Sequence, residues 1–228
     1  MTGRLRRVAS GDAGISLAEM LVAMMIFALL IAMTSGLFIS AVRANGSNRD
    51  IDASTRSASN GMNELTRIIR AGSENPRPKA VSATADPAFV LAGSSTLTVY
   101  AFVNLADSLS TPRKVTFAVE GGNLVETTVV GVETAPGSGF WNYPGTGAKR
   151  ILAGPVVPTS AGGAVLFTYL DSAGAVLPVP GGSVAGDRVT EIAAVTVQLQ
   201  VGKTSASKDS TTLVSTVGLP NVPIARNP

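Results

Sequence analysis

Ile15-Ser-Leu-Ala-Glu-Met-Leu-Val-Ala-Met-Met-Ile-Phe-Ala-Leu-Leu-Ile-Ala-Met-Thr-Ser-Gly-Leu-Phe-Ile-Ser-Ala-Val42 is the stretch that decides the fold. It holds one charge, Glu19, and residues 20–42 hold none. Wound as an α-helix at about 1.5 Å per residue, 20–42 is ~34 Å long, enough to cross a ~30 Å hydrocarbon core. Arg4, Arg6 and Arg7 precede it against the single acid Asp12. That excess keeps the N-terminus cytoplasmic and sends the rest of the chain across the membrane. The run is longer than the roughly 7–15 residue apolar region of a secretory signal. Only the small residues between Gly36 and Ala41 offer a signal-type cleavage site before Arg43. Arg6-Arg7 lacks the pattern that follows a twin-arginine signal. A plain single-pass anchor accounts for everything except Glu19. A carboxylate in lipid costs on the order of 2–3 kcal/mol, and such a residue usually has a partner.

The helical pattern continues past the apolar run. Ile51, Thr55, Ala58, Met62, Leu65 and Ile69 are spaced three and four apart, which is one face of an amphipathic helix packed on a core. Gly72 closes the helix, and Pro76 and Pro78 forbid its extension. Gly46 and Gly61 weaken its middle, and Thr34-Ser35-Gly36 is a place where it could bend or melt.

From residue 80 the apolar period shortens to two. Strands are expected at 96–103, at 115–119 and 124–130 around the turn Glu120-Gly121-Gly122-Asn123, at 165–170, at 192–201 and at 211–219. Asp171 to Gly174 reads as a hairpin turn leading to 175–177. Gly and Pro gather in the connections 135–147, 153–163 and 178–186. A long helix followed by antiparallel strands is an α+β order. The expected organisation is 1–14 as a leader, 15–42 as a transmembrane helix, 43–72 as its amphipathic continuation and 73–228 as an exported β-rich domain.

Composition narrows the function. The chain has 228 residues, 45% hydrophobic and 14% charged, which is too apolar for a disordered chain. Its net charge of +3 is local: residues 73–228 carry ten charges of each sign. No basic face marks a nucleic-acid partner. Cysteine and histidine are both absent. Disulfides, zinc–thiolate sites, thiol nucleophiles and a Ser-His-Asp triad are therefore excluded. Neither a cofactor nor a metal is expected, and the composition argues against an enzyme.

The remaining candidate sites are weak. Asp171 with Gly174 lacks the spaced carboxylates of a calcium loop. Gly137-Ser-Gly139 and Gly145-Thr-Gly147 have no phosphate-loop context. Phe140-Trp141-Asn142-Tyr143 is read as a loop lid tucked on the core, with a contact surface for a partner or sugar as the alternative. Lys149-Arg150 is read as solvated surface.

Gly14-Ile15-Ser16-Leu17-Ala18-Glu19 resembles the processing motif of type IV prepilins and pseudopilins. The family pattern is Gly, a large apolar residue (usually Phe), Thr or Ser, Leu, an apolar residue, then Glu. Here Ile15 replaces Phe, and the small Ala18 stands where a branched residue is common. The motif covers six residues and its context about 1–42. The later stretches 167–174 and 192–199 look like the sheet region of minor pilins and larger pseudopilins.

The resemblance implies a mechanism. A membrane prepilin peptidase would cut between Gly14 and Ile15 and N-methylate Ile15. Ser16, Leu17 and Ala18 would complete the processing motif. The helix would sit in membrane lipid until an inner-membrane assembly platform drew it into a filament of pilin or pseudopilin subunits. There Glu19 would pair with a neighbour's N-terminal amine and set axial register, because a buried carboxylate needs a cation. Residues 15–228 make a long subunit, which favours a minor pilin at the cell surface. Two alternatives stand beside it: a pseudopilin of type II secretion or DNA uptake, and a signal-anchored binding module or adhesin that does not polymerise. A polymerising subunit needs cleavage at Gly14 and a paired Glu19, whereas a plain anchor needs neither.

Overall fold

A computed structural model describes residues 14–79, 81–82, 84–103, 111–186, 188–205 and 210–222. The basic leader residues Arg4, Arg6 and Arg7 lie outside them. The chain divides into two units, Met1–Gly46 and Ser47–Pro228.

Helix α1 is Leu17–Arg70. Residues 34–36, where the helix could bend or melt, are helical. Thr34 Oγ1 donates to the carbonyls of Leu30 (2.9 Å) and Ile31 (3.1 Å), the back-bonding that favours a bend without ending a helix. In the first unit the described part is this helix, and its large apolar side chains are exposed. It is long and apolar enough to cross a membrane.

In the second unit the helix buries Ala58, Gly61, Met62, Leu65, Ile68 and Ile69. Four of the six expected stripe residues are among them. Ile51 is only half-buried. Thr55 is exposed, and its hydroxyl meets that of Thr211 at 3.1 Å. Arg67 and Arg70 in the last turn favour the negative helix end. Gly72 N–H donates to Ile69 O at 3.0 Å and closes it.

The strands are β1 (Phe89–Ala92), β2 (Thr96–Ala101), β3 (Arg113–Glu120), β4 (Asn123–Val130), β5 (Val132–Glu133), β6 (Trp141–Asn142), β7 (Ala148–Ala153), β8 (Phe167–Leu170), β9 (Ala194–Val201) and β10 (Thr211–Gly218). They form a five-stranded sheet β1-β2-β3-β4-β7, a three-stranded sheet β10-β9-β8 and the small pair β5-β6, all antiparallel. Helix residues 58–69 share one core with both larger sheets. It includes Leu97, Val99, Phe117, Leu124, Phe167, Tyr169 and Leu199, each under 2% exposed. Burying a side chain of this size contributes about 1.5–3 kcal/mol.

The expected turn between β3 and β4 is present. Gly121 (φ 57°) and Gly122 (φ 78°) both take positive φ, which a two-residue type I′ turn requires. Strand ends differ from expectation. β2 stops at Ala101, β8 begins at Phe167 because Val165 is exposed, and residues 175–177 contribute only the bridge Leu170↔Val176. A single 3-10 turn at Val189–Glu191 delays β9 to Ala194.

Candidate functional site

Gly14, Ile15 and Ser16 precede the helix in non-helical backbone. Gly14 is exposed and a side chain there would meet nothing within 4 Å. Ile15 is 81% and Leu17 82% exposed. The Gly14–Ile15 peptide is therefore accessible and outside the helical hydrogen-bond ladder.

What starts the helix is a reciprocal pair. Ser16 N–H donates to Glu19 Oε2 at 3.0 Å, and Glu19 N–H donates to Ser16 Oγ at 3.2 Å. This is a capping box, with Ser at the cap and Glu three positions on. Met20 N–H then donates to Ser16 O at 3.1 Å, the first turn proper. Of the six motif residues, the structure joins Ser16 to Glu19 and leaves Gly14 and Ile15 ahead of that pair. Leu17 and Ala18 lie in the first turn. The sequence reading missed the cap, although the Ser-x-x-Glu spacing carries it.

The globular unit holds the other polar cluster. Glu64 on α1 pairs with Arg67 (2.6 Å) and with Arg150 of β7. Arg150 Nη2 also donates to Glu126 Oε2 on β4 at 2.9 Å, and Thr128 Oγ1 donates to Glu126 Oε1 at 2.9 Å. Glu126 is 6% exposed. The Arg67 hydrogen bond holds the Glu64 carboxyl below its usual range, against the opposing effect of desolvation. The same bond raises Arg67. Lys149 binds Glu120 at 2.7 Å. Lys149 and Arg150 are thus more than free surface charges: their side chains are over half exposed, yet each is paired.

The weak candidates resolve into local structure. Tyr143 stacks on Tyr100 with centroids 4.9 Å apart and donates to Asn75 Oδ1 at 3.4 Å, so the aromatic loop is tucked in as a lid. Desolvation pushes the Tyr143 hydroxyl far above its ordinary pKa. Gly137 and Gly139 N–H groups donate to the Glu133 carboxylate at 2.8 and 3.3 Å. A phosphate would find those donors taken. Asp171 Oδ1 accepts from Ala173 N–H (2.9 Å) and Ala175 N–H (2.8 Å), the bonds of a turn. Among the described residues no cluster of three or more Asp or Glu is placed to hold a metal.

Residues 10–35 match the family model of the prokaryotic N-terminal methylation motif. No curated protein sequence matches the chain. Among solved structures it is similar to a chain in a binary complex of two pseudopilins from the type 2 secretion system of Vibrio vulnificus. That match has 12% identity and a TM-score of 0.46, and covers 76% of this chain and 95% of that one. It is also similar to a type IV-like pilin from Thermus thermophilus, with 13% identity and a TM-score of 0.41, over 74% of this chain and 98% of that one.

Proposed function

We propose that the chain is a structural subunit, a minor pilin or pseudopilin, of a type IV pilus-like filament. One observation carries this reading. The match to the N-terminal methylation motif spans Gly14 to Glu19 and the apolar helix behind them. Exposure of the Gly14–Ile15 peptide supports a membrane peptidase cutting there and methylating Ile15. The exposed apolar helix supports lipid as its first environment and the helices of other subunits as its second. In this reading the N-terminus is cytoplasmic, the globular unit is exported, and an inner-membrane platform lifts the subunit into the filament. The subunit binds rather than reacts, and the peptidase supplies the chemistry.

The test is the N-terminal peptide mass of the protein taken from its native membranes. A start at Ile15 carrying one added methyl is expected. Gly14→Leu should leave the uncut precursor in the membrane, because a branched side chain takes the place of the residue presented to the peptidase. An intact Met1 or Thr2 start in the wild type would reduce the chain to a plain anchor. A start near residue 42 would make it a secreted domain.

A further inference from the structure

Between the end of α1 and the helix-facing side of β3, β4 and β7 lies an open cleft of about 620 Å³. That is within the range of small-ligand sites, about 300–1,000 Å³. Four cations line it (Arg67, Arg113, Lys149 and Arg150) against two carboxylates, Glu64 and Glu126. Three of those cations are paired: Arg67 and Arg150 with the two carboxylates, and Lys149 with Glu120. Among the described residues Arg113 forms no ion pair, and its Nε is buried without a hydrogen bond. A desolvated guanidinium nitrogen without an acceptor is costly, and native structures rarely keep one idle. The neighbouring walls are apolar: Val103, Val115 and Val130.

We propose that this cleft binds a monocarboxylate carried on an apolar stem, with Arg113 as the group that recognises the acid. Among the described lining residues Arg113 is the one cation without an ion pair, which matches a single negative charge. A dianion such as phosphate would also face Glu64 and Glu126, so it fits less well. The valine walls accommodate the stem. The acid belongs either to a free organic acid or to an acidic side chain of a peptide, and the chemistry at Arg113 is shared. The site is independent of how the N-terminus is processed.

Trp141 is the chain's only tryptophan. Its ring lies 3.2 Å from where a Cβ on Gly131 would stand, next to Val130. Val130 lines the cleft and Gly131 follows it in the chain, so Trp141 fluorescence is used to read occupancy. The experiment titrates the full chain in detergent micelles with hexanoate, with hexanamide, and with the tripeptide N-acetyl-Leu-Glu-Leu-amide and its Gln counterpart. Saturable change with at least one acid is expected, with the matching amide at least tenfold weaker, roughly the worth of a charged hydrogen bond. Preference for hexanoate would assign the site to free acids, and preference for the Glu peptide to an acidic segment of a partner protein.

Arg113→Met should lose binding without losing stability, because no ion pair is removed. Val130→Asp is the second variant. Val130 is directly across the strand pair from Arg113 and half exposed, so a carboxylate there would occupy Arg113 from within and block the acids. Equal binding of acids and amides, wild-type binding by both variants, or no binding by either acid up to about 10 mM would each overturn the proposal.

Discussion

Gly61 is a close approach between helix and sheet, and exchanging a methyl across it tests the packing. A Cβ at 61 would stand 2.8 Å from Ala153 Cβ and 3.1 Å from Leu199 Cδ2. Carbon atoms prefer about 3.5–4.0 Å. Ala153 Cβ is fixed to the backbone of β7 and is 2% exposed, so it cannot rotate away. Relief requires moving the helix off the sheet. One extra methyl in a packed core costs about 1–3 kcal/mol. Helix propensity works the other way, favouring Ala over Gly by about 1 kcal/mol. Sterics should win, leaving Gly61→Ala destabilised by about 1 kcal/mol, or about 2–4 °C in Tm for a domain of this size. Ala153→Gly alone should also destabilise, through a small cavity and a looser strand. In the double variant the methyl has crossed the interface and the clash is gone. The two changes should therefore couple favourably by at least about 1 kcal/mol. The assay is urea unfolding of the full chain in detergent, followed by Trp141 fluorescence. A rise in stability for Gly61→Ala by the full propensity gain, or strict additivity in the double variant, would refute the packing argument.

Tyr169 is fully buried and its hydroxyl donates to Gly93 O at 2.7 Å. Tyr169→Phe should leave that carbonyl unpaired and cost about 1–2 kcal/mol in urea unfolding, and an unchanged midpoint would deny the bond its role. Glu64 titrates below its usual 4.5 in the folded chain, so its contribution is complete above that pH and is lost as pH falls through the lowered value. Arg67→Met removes the largest cause of the lowering. The stability gap between wild type and variant should be widest above the usual carboxylate range and narrow as pH falls below it, and a gap independent of pH would show the pair to be inert. Glu19→Gln keeps a side chain able to cap Ser16 but removes the charge. It should be cleaved normally and enter filaments poorly, as read by N-terminal mass and by subunit content of sheared filaments. Wild-type incorporation would end the register argument.

What the sequence showed and what it hid divide along the range of the interactions. The charge-free run after Glu19 and the Gly121-Gly122 turn are local signals, and both were legible. The strands β3, β4, β9 and β10 alternate on a period of two and were legible to within a few residues. β7 was not, because Arg150 occupies a helix-facing position and breaks the apolar alternation. Its partners Glu126 and Glu64 lie 24 and 86 positions away, beyond any local pattern. Gly61 read as a weakness in the helix for the same reason: Ala153 and Leu199, brought alongside by the sheets, make its missing side chain necessary. The unpaired Arg113 Nε likewise appears only once Glu64 and Glu126 are seen to be engaged elsewhere.

The cap at Ser16 changes how Glu19 should be understood. A carboxylate at the start of a membrane helix costs on the order of 2–3 kcal/mol. A hydrogen bond to a charged acceptor returns about 1.5–3 kcal/mol. Glu19 is therefore largely satisfied within its own chain, and in the proposed reading this would let an uncut precursor wait in the bilayer before a neighbour arrives. Only Oε2 is engaged by Ser16 N–H. A carboxylate offers about four acceptor positions, so Oε1 stays available. Cleavage after Gly14 would leave the Ser16 N–H in place and create an ammonium group on the adjacent Ile15. In the proposed filament the cap and the intersubunit pair need not compete: one oxygen fixes where the helix begins, and the other reads a neighbour's new amine. Axial register would then be measured from a rigid helix start rather than from a freely rotating side chain.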